Sequence, residues 1–301
     1  MTHAFSCIAL VGRPADPLVA DAMVALARHA VGCGIRVFVD AAGGLPYPAA
    51  VERRAEANLV LGAHLMVSVG GDGTLLYTAR LVGDAAVPLL GINRGRLGFL
   101  ADISATEMIE RFDDVLAGRF ERDLRRTLSA RLIVPQMADR VLVALNDVVL
   151  QKRDTGRMLD FESAINGNFV NAHGGDGLVI STATGSTAYA LSCGGPILTP
   201  DIDAIVIAPI SPHTLSDRPL VIGGQSTIEL RLTSQAPVRA EVTCDGVVLG
   251  DLPPDGRLVI EPCPRRVTLL HPLGYDYFRI LRSKLHWGRG GRQGPPDAPR
   301  C

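Results

Sequence analysis

The chain has 301 residues, enough for one large domain or, more comfortably, two of ordinary size. Hydrophobic residues make up 47% and charged residues 20%, which excludes a disordered or fibrous chain and leaves ample apolar surface to bury. A formal charge of −1 excludes a global field that would draw the chain to nucleic acid or an anionic membrane, so an anionic ligand must be held by local donors.

The N-terminus lacks the basic lead and apolar run of a secretory signal, and no stretch approaches the roughly 20 apolar residues of a membrane span. A cytoplasmic protein without a membrane or nucleic-acid partner is expected. Six cysteines, Cys7, Cys33, Cys193, Cys244, Cys263 and Cys301, show no paired C-x-x-C spacing. They read as small buried apolar residues, the last on a tail, and no metal-ligand set is assigned.

Taken in chain order, the apolar run Ile8 to Val11 predicts a strand, Pro17 to Val31 a helix and Ile35 to Val39 a second strand. Asp16 as N-cap, Pro17 at the first helical position and Gly32 past the end frame the helix. A helical stretch is expected around Ala49 to Leu61, then a strand at Leu65 to Val69, a Gly-rich loop, a short helix and a strand at Val87 to Ile92. Such alternation implies a mostly parallel sheet. Ser104 and Glu107 form a capping-box pair that opens a helix ending near Gly118.

From about Arg125 the pattern turns to short β-branched runs: Ala130 to Val134, Val141 to Leu150, Leu159 to Ile165, Phe169 to Ala172 and Leu178 to Ser181. Asn166-Gly167 between two of them is a strong hairpin signal, because both central positions of a type I′ turn need positive φ. Thr227 to Leu232, Val242, Val247, Leu258 to Ile260 and Val267 to Leu270 continue the series. Tyr277, Phe278, Leu281 and Leu285 recur at helical spacing and predict a short helix packing back on the first domain. The expected organisation is therefore an α/β domain over residues 1–124, a mainly-β domain over 125–274, the returning helix over 275–287 and a disordered Gly/Pro/Arg tail over 288–301.

Two loops carry chemistry. Gly70-Gly71-Asp72-Gly73-Thr74 follows a strand and precedes a helix, at the carboxyl edge where α/β sheets bind ligands. Its glycines let backbone N–H groups approach a phosphate, and the helix N-terminus adds favourable partial charge. A carboxylate beside a polyanion is unfavourable unless it binds a metal or takes a proton from the reacting group, which singles out Asp72. A plain βα turn with Asp72 as helix cap is the competing reading. The loop has neither a P-loop lysine nor the G-x-G-x-x-G spacing.

The second loop, Gly174-Gly175-Asp176-Gly177 and Thr182 to Tyr189, offers hydroxyl donors for ribose or phosphate oxygens and an aromatic face for a base, or else is an ordinary turn. Asn146-Asp147 interrupts an apolar run, where burial without polar partners is costly; a bulge or an outward-facing pair is the alternative.

Together GGDGT (70–74), GINRGRLGFL (91–100), ALNDVVL (144–150), GDGLVISTATGSTAYALSCGGPIL (175–198), PHTLSDRPLVI (212–222) and CDG (244–246) resemble the NAD kinase family, closely its ATP-using proteobacterial branch. Their order and spacing cover most of the chain. The resemblance implies a Rossmann-like α/β N-terminal domain and a C-terminal β-sandwich. It implies transfer of the terminal phosphoryl of ATP, or of polyphosphate, to the adenosine ribose 2′-hydroxyl of NAD, with Mg²⁺ or another divalent cation on the donor, in a dimer or tetramer.

By the same resemblance Asp72 is the proton acceptor and, with Gly73 beside it, contacts NAD, and Gly70, Gly71, Gly73 and Thr74 form the phosphate-donor loop. Phe99 lies near the adenine; Asn146, Asp147, Arg157, Asp176, Thr187, Ala188, Tyr189, Ala190, Leu191 and Ser192 bind the dinucleotide, with Tyr189 stacking on a ring. Asp147 shortens a pair that is most often Asn-Glu but keeps its charge. Gly174 stands where some relatives have a basic residue, Ala183 where proline is frequent and Val247 where some place a polar contact. His213 is assigned no chemistry. A lipid or sugar kinase of the related superfamily shares the GGDGT loop, and a non-catalytic NAD sensor would share the pocket; both stay open as alternatives.

Overall fold

The computed structural model describes residues 3–95, 98–153, 158–214, 216–233 and 239–287; Arg157 and the expected tail 288–301 lie outside the described residues. The chain divides into two compact units, one formed by the segment up to Asp123 together with the segment from Thr268, the other by Leu124–Val267.

In the first unit β1 (Cys7–Gly12), α1 (Pro17–Gly32) and β2 (Arg36–Asp40) form the expected βαβ opening. Asp16 caps α1 by accepting from the Leu18 N–H at 3.1 Å. β3 (Glu52–Arg54), β4 (Leu65–Gly70), α2 (Asp72–Val82), β5 (Leu89–Asn93), β6 (Ile103–Ser104) and α3 (Met108–Leu116) follow. The parallel order β3-β2-β1-β4-β5 is a doubly wound arrangement whose strand order reverses between β1 and β4, so loops at their carboxyl ends flank the switch point. Leu10, Val37, Val67, Ile92 and Phe112 meet in its core.

The helix expected around Ala49 to Leu61 is not formed. Glu52–Arg54 instead pairs with Phe38–Asp40 as an edge strand, followed by a 3₁₀ turn at Glu56–Asn58. The arginines decide it: the Arg54 guanidinium lies 3.3 Å from the Phe38 ring centroid and donates to the Leu61 carbonyl at 2.5 Å, while Arg53 donates to the Leu45 carbonyl at 2.6 Å. Those contacts outweigh helix propensity, a weak prior. The helix expected from Ser104 likewise begins later, at Met108, and Ser104 Oγ bonds the Glu107 carboxylate at 3.1 Å rather than a backbone N–H.

The second unit is built from strands: β7 (Phe120–Ile133), β8 (Arg140–Ala144), β9 (Asp147–Lys152), β10 (Leu159–Ile165), β11 (Asn168–Gly175) and β12 (Gly177–Thr182). After the one-turn helix α4 (Tyr189–Ser192) come β13 (Ala204–Ile210), β14 (Leu220–Gly223), β15 (Ile228–Leu232), β16 (Ala240–Cys244), β17 (Val247–Leu252) and β18 (Arg257–Pro272). One sheet orders β11-β10-β15-β18-β7-β8, the other β14-β13-β12-β9-β16-β17. Inward residues of both, among them Leu128, Leu150, Ile180, Leu230 and Val242, share one core, which makes the unit a β-sandwich. Asn166 and Gly167 take φ of +51° and +78°, the positive values a type I′ hairpin requires.

β18 ends in the first unit, where Leu269 and Leu270 pair in parallel with Leu89 and Leu90. The chain thus rejoins that unit from Thr268, whereas residue 275 was expected. α5 (Tyr277–Leu285), capped by Asp276 through the Phe278 and Arg279 N–H groups, completes it and buries Ile280 and Leu281.

Candidate active site

In the first unit the Gly70–Thr74 loop caps the carboxyl end of β4. Gly71 is the N-cap of α2 with no side-chain capping bond, and Asp72 is its first residue. A Cβ on Gly70 would overlap the Thr74 hydroxyl, whereas a Cβ on Gly71 or Gly73 would meet no atom within 4 Å. Glycine at 71 and 73 therefore leaves open space beside backbone N–H groups, the geometry that lets a phosphate approach. An open pocket of about 370 Å³ lies here, lined by Gly70, Gly71, Asp72, Asn93, Arg94, Gly95, Gly98, Leu18 and Lys284.

Asp72 is not a helix cap. Its Oδ2 accepts from the Phe99 N–H at 2.9 Å, and its Oδ1 from the Leu100 and Ala101 N–H groups at 3.0 Å each. An ionised carboxylate offers about four lone-pair sites; both on Oδ1 are taken and one on Oδ2 is left. Gly98 is required for this clasp, because a Cβ there would collide with Asp72 Oδ1. Phe99 is half-buried, with the Lys284 ammonium 6.0 Å from its ring centroid. Arg94 is ion-paired with Asp16.

The second unit repeats the device. The Asp245 carboxylate accepts from the N–H groups of Leu145 at 2.7 Å, Asn146 at 2.8 Å and Asp147 at 3.1 Å, which breaks the long strand expected over Val141 to Leu150 into β8 and β9. Asp245 reaches them from a tight turn in which Asp245 and Gly246 take φ of +47° and +76°. Asn146 Oδ1 is buried with no hydrogen-bond partner among the described residues, a state that is costly unless a donor arrives from a ligand. Gly185 lets the next loop close on this one, since a Cβ there would overlap the Asn146 carbonyl.

Asp147 is 7% exposed. Burial, reinforced by the Asp245 charge, pushes its carboxyl up to about 7. The group is thus poised between charge states at neutral pH, able to donate as well as accept. Burial raises the Tyr189 phenol, with smaller contributions from Cys193, Asp176 and Asp147, and burial then Asp147 raise the Cys193 thiol; these groups share one neighbourhood. Asp176 is ion-paired with Lys152 at 2.5 Å. Thr187 closes a 3₁₀ turn, Ala188 and Leu191 are half-buried and Ser192 is exposed. Ala190 is fully buried against Val179 and Val206, so its side chain serves the core. Arg125, 1% exposed, donates to Thr184 at 3.3 Å under the same loop.

Ser163 Oγ lies 2.8 Å from His173 Nε2, whose Nδ1 lies 3.2 Å from Asp217. The order copies an acyl-transfer triad, but Ser163 is 3% exposed and so buried from a substrate. The network pins β10 to β11 and so anchors Gly174 to Asp176. His29, Cys33 and Asp113 also converge within 4.8 Å; His29, in the last turn of α1, already holds Asp113 by a hydrogen bond of 2.6 Å. The described residues hold no helix long and apolar enough to cross a membrane.

Comparison with known proteins fixes the family. The ATP-NAD kinase N-terminal domain matches residues 8–120, and the ATP-NAD kinase C-terminal domain matches residues 145–271. The chain belongs to the NAD kinase family. It is 42% identical over 287 residues to the NAD kinase of Methylococcus capsulatus, covering 95% of this chain and 99% of that one. The NAD kinase of Nitrosococcus oceani is 40% identical over 293 residues, covering 96% and 99%. Among solved structures, yeast NADH kinase complexed with NADH superposes with a TM-score of 0.87 at 25% identity, over 96% of this chain and 90% of that chain. An NAD kinase from Archaeoglobus fulgidus in complex with ATP gives 0.72 at 25% identity, over 93% and 98%.

Within this family member, residue types single out Asp72 and Asn146-Asp147, whereas Gly98 and Asp245, which hold them, stand in the GINRGRLGFL and CDG segments with no role assigned. Asp245 carried a signal, an Asp-Gly turn pair between apolar runs. Gly98, Asn93 and Lys284 carried none that short-range patterns register.

Proposed function

We propose that this chain phosphorylates NAD at the adenosine ribose 2′-hydroxyl, with ATP as donor. The observation that carries the mechanism is the clasped Asp72 carboxylate, with one acceptor site left on Oδ2, lining an open pocket beside the glycine loop. The 2′-oxygen attacks the terminal phosphorus of ATP, the bond from that phosphorus to the bridging oxygen breaks, and ADP leaves with the bond's electron pair. The hydroxyl proton passes to Asp72 Oδ2. Three backbone N–H groups fix the direction of that lone pair, so catalysis rests on positioning, with proton removal adding a typical ~10² to 10⁴ in rate.

Gly71 and Gly73 leave the donor phosphates room to approach the start of α2. A divalent cation, Mg²⁺ in this reading, supplies charge neutralisation when it arrives on those phosphates. The pocket suits such delivery: of its described side-chain oxygens, Asp72 already accepts from three N–H groups and Asn93 Oδ1 from the Gly95 N–H at 2.8 Å, which leaves too few free side-chain lone pairs for the shell of about six oxygens in a dedicated cation site. Asn146, Asp147, Asp176, Thr187, Ala188, Tyr189, Leu191 and Ser192 are proposed to bind NAD, Tyr189 by stacking and the orphan Asn146 acceptor by taking a ligand donor. Phe99 is proposed near the adenine. Assembly as a dimer or tetramer and a cytoplasmic location belong to the same reading.

The test is NADP formation by purified protein, with NAD or NADH as acceptor and ATP or polyphosphate as donor. Asp72→Asn should lower kcat by ~10² to 10⁴ while NAD still binds by calorimetry. Near-normal turnover in a folded Asp72→Asn protein would refute the assignment.

A further inference from the structure

The chain leaves its first unit at Asp123 and re-enters it at Thr268, and α5 is the element this return adds. Ile280 and Leu281 anchor it at 4% and 3% exposure. The next position on that face, three and four residues on, is Lys284. It is half-buried, while Arg282 and Ser283 beside it are exposed, and Arg282 is paired with Asp276 at 3.7 Å.

Helices often end in a lysine that only complements the helix dipole from solvent. Lys284 differs in direction and in company. It lines the pocket of Gly70, Gly71, Asp72, Asn93 and Gly95, and it makes no hydrogen bond or ion pair with any described residue. The other described cation on that lining, Arg94, is neutralised by Asp16. A partly desolvated ammonium without a counter-charge is unfavourable until an anion arrives, and the place it faces is the one where Gly71 and Gly73 admit a phosphate.

We infer that Lys284 binds the phosphate donor, as the point charge that holds the terminal phosphoryl group against the glycine loop. The inference rests on the reading that ATP donates at this pocket. It gives the loop, which lacks a P-loop lysine of its own, a lysine from the far end of the chain. Lys284 takes no part in proton transfer; the proton released by the ribose goes to Asp72. Lys284 acts on donor charge, which is greatest on the oxygens of the group in flight.

The test uses the full chain with three variants: Lys284→Met, which keeps the aliphatic stem, Lys284→Arg, and the solvent-facing control Arg282→Ala. Loss of one charge-assisted contact predicts a fall of about 10- to 100-fold in kcat/KM for MgATP in Lys284→Met. The KM for NAD at saturating ATP should stay within about twofold, Arg should recover part of the loss, and Arg282→Ala should match wild type, because the effect is local to the donor. Equal ATP kinetics in wild type and Lys284→Met, or a loss expressed in the KM for NAD, overturns the inference. A melting point lowered equally in Lys284→Met and Lys284→Arg, with equal loss of activity, overturns it too, by showing a packing role. A wild-type chain that makes no NADP from NAD and ATP counts against the functional reading instead, so the two failures are separable.

Discussion

Replacing Asp147 by Asn should remove a pH dependence from the stability of the second unit. In the folded chain burial, with Asp245 beside it, lifts the Asp147 carboxyl from its ordinary 3.8 to about 7. At ~1.4 kcal/mol per pH unit this gap corresponds to about 4 kcal/mol, an order-of-magnitude figure. At 7% exposure little solvent screening reduces it. The folded-state value is the higher one, so the native state holds the extra proton: stability from this group is fully present below pH 3.8, declines as pH rises and is lost once pH passes about 7. The Asn variant has nothing to titrate there. Urea unfolding followed by far-ultraviolet circular dichroism at pH 5, 6, 7 and 8 should therefore show the variant gaining on wild type with each step to pH 7 and levelling off above it. Titrating groups that do not interact with Asp147 are common to both proteins and cancel in the difference. A difference that stays constant from pH 5 to 8 would show that Asp147 ionises normally and that the burial argument is wrong.

Gly98→Ala should destabilise the chain by about 1–3 kcal/mol and depress turnover, because its Cβ competes with the Asp72 carboxylate for the same space; Gly174→Ala, whose Cβ would sit 3.5 Å from the Asp160 and Met158 side chains, should leave thermal melting unchanged within about 0.5 kcal/mol. Asp245→Ala strips three N–H groups of their acceptor and should cost about 2–5 kcal/mol, with NAD affinity by calorimetry falling alongside. A stable Asp245→Ala protein with intact affinity would show that the 145–147 backbone is held by something else.

Most of the architecture was legible because its signals are local. The Asp16-Pro17 start of α1, the alternation that gives a parallel sheet and the Asn166-Gly167 turn each follow from a few adjacent residues. The failures are of another kind. Residues 52–54 have helical neighbours in sequence but form an edge strand because Arg53 and Arg54 find a carbonyl and an aromatic ring. The strand Ala204–Ile210, an apolar run of seven residues, has no alternation to mark it and was passed over.

At the site, residue types exposed Asp72 and Asn146-Asp147 because glycine, acid and amide are out of place where they stand. What orients those groups lay 26 to 100 residues away: Gly98 and the 99–101 turn for Asp72, Asp245 for Leu145 to Asp147. No short window contains both partners. Lys284, more than two hundred residues beyond the glycine loop, is the extreme case.

The split course of the first unit sets the order in which a growing chain can finish its work. Leu124–Val267 is continuous and can fold once it has left the ribosome, as contiguous domains generally do. The nucleotide fold begun earlier must wait for Leu269, Leu270, Ile280 and Leu281 before its sheet and its last helix are in place. A message broken anywhere before those codons would yield a scaffold that displays a glycine loop yet lacks the elements that close it, so phosphoryl transfer is withheld until the residues of α5 have been made.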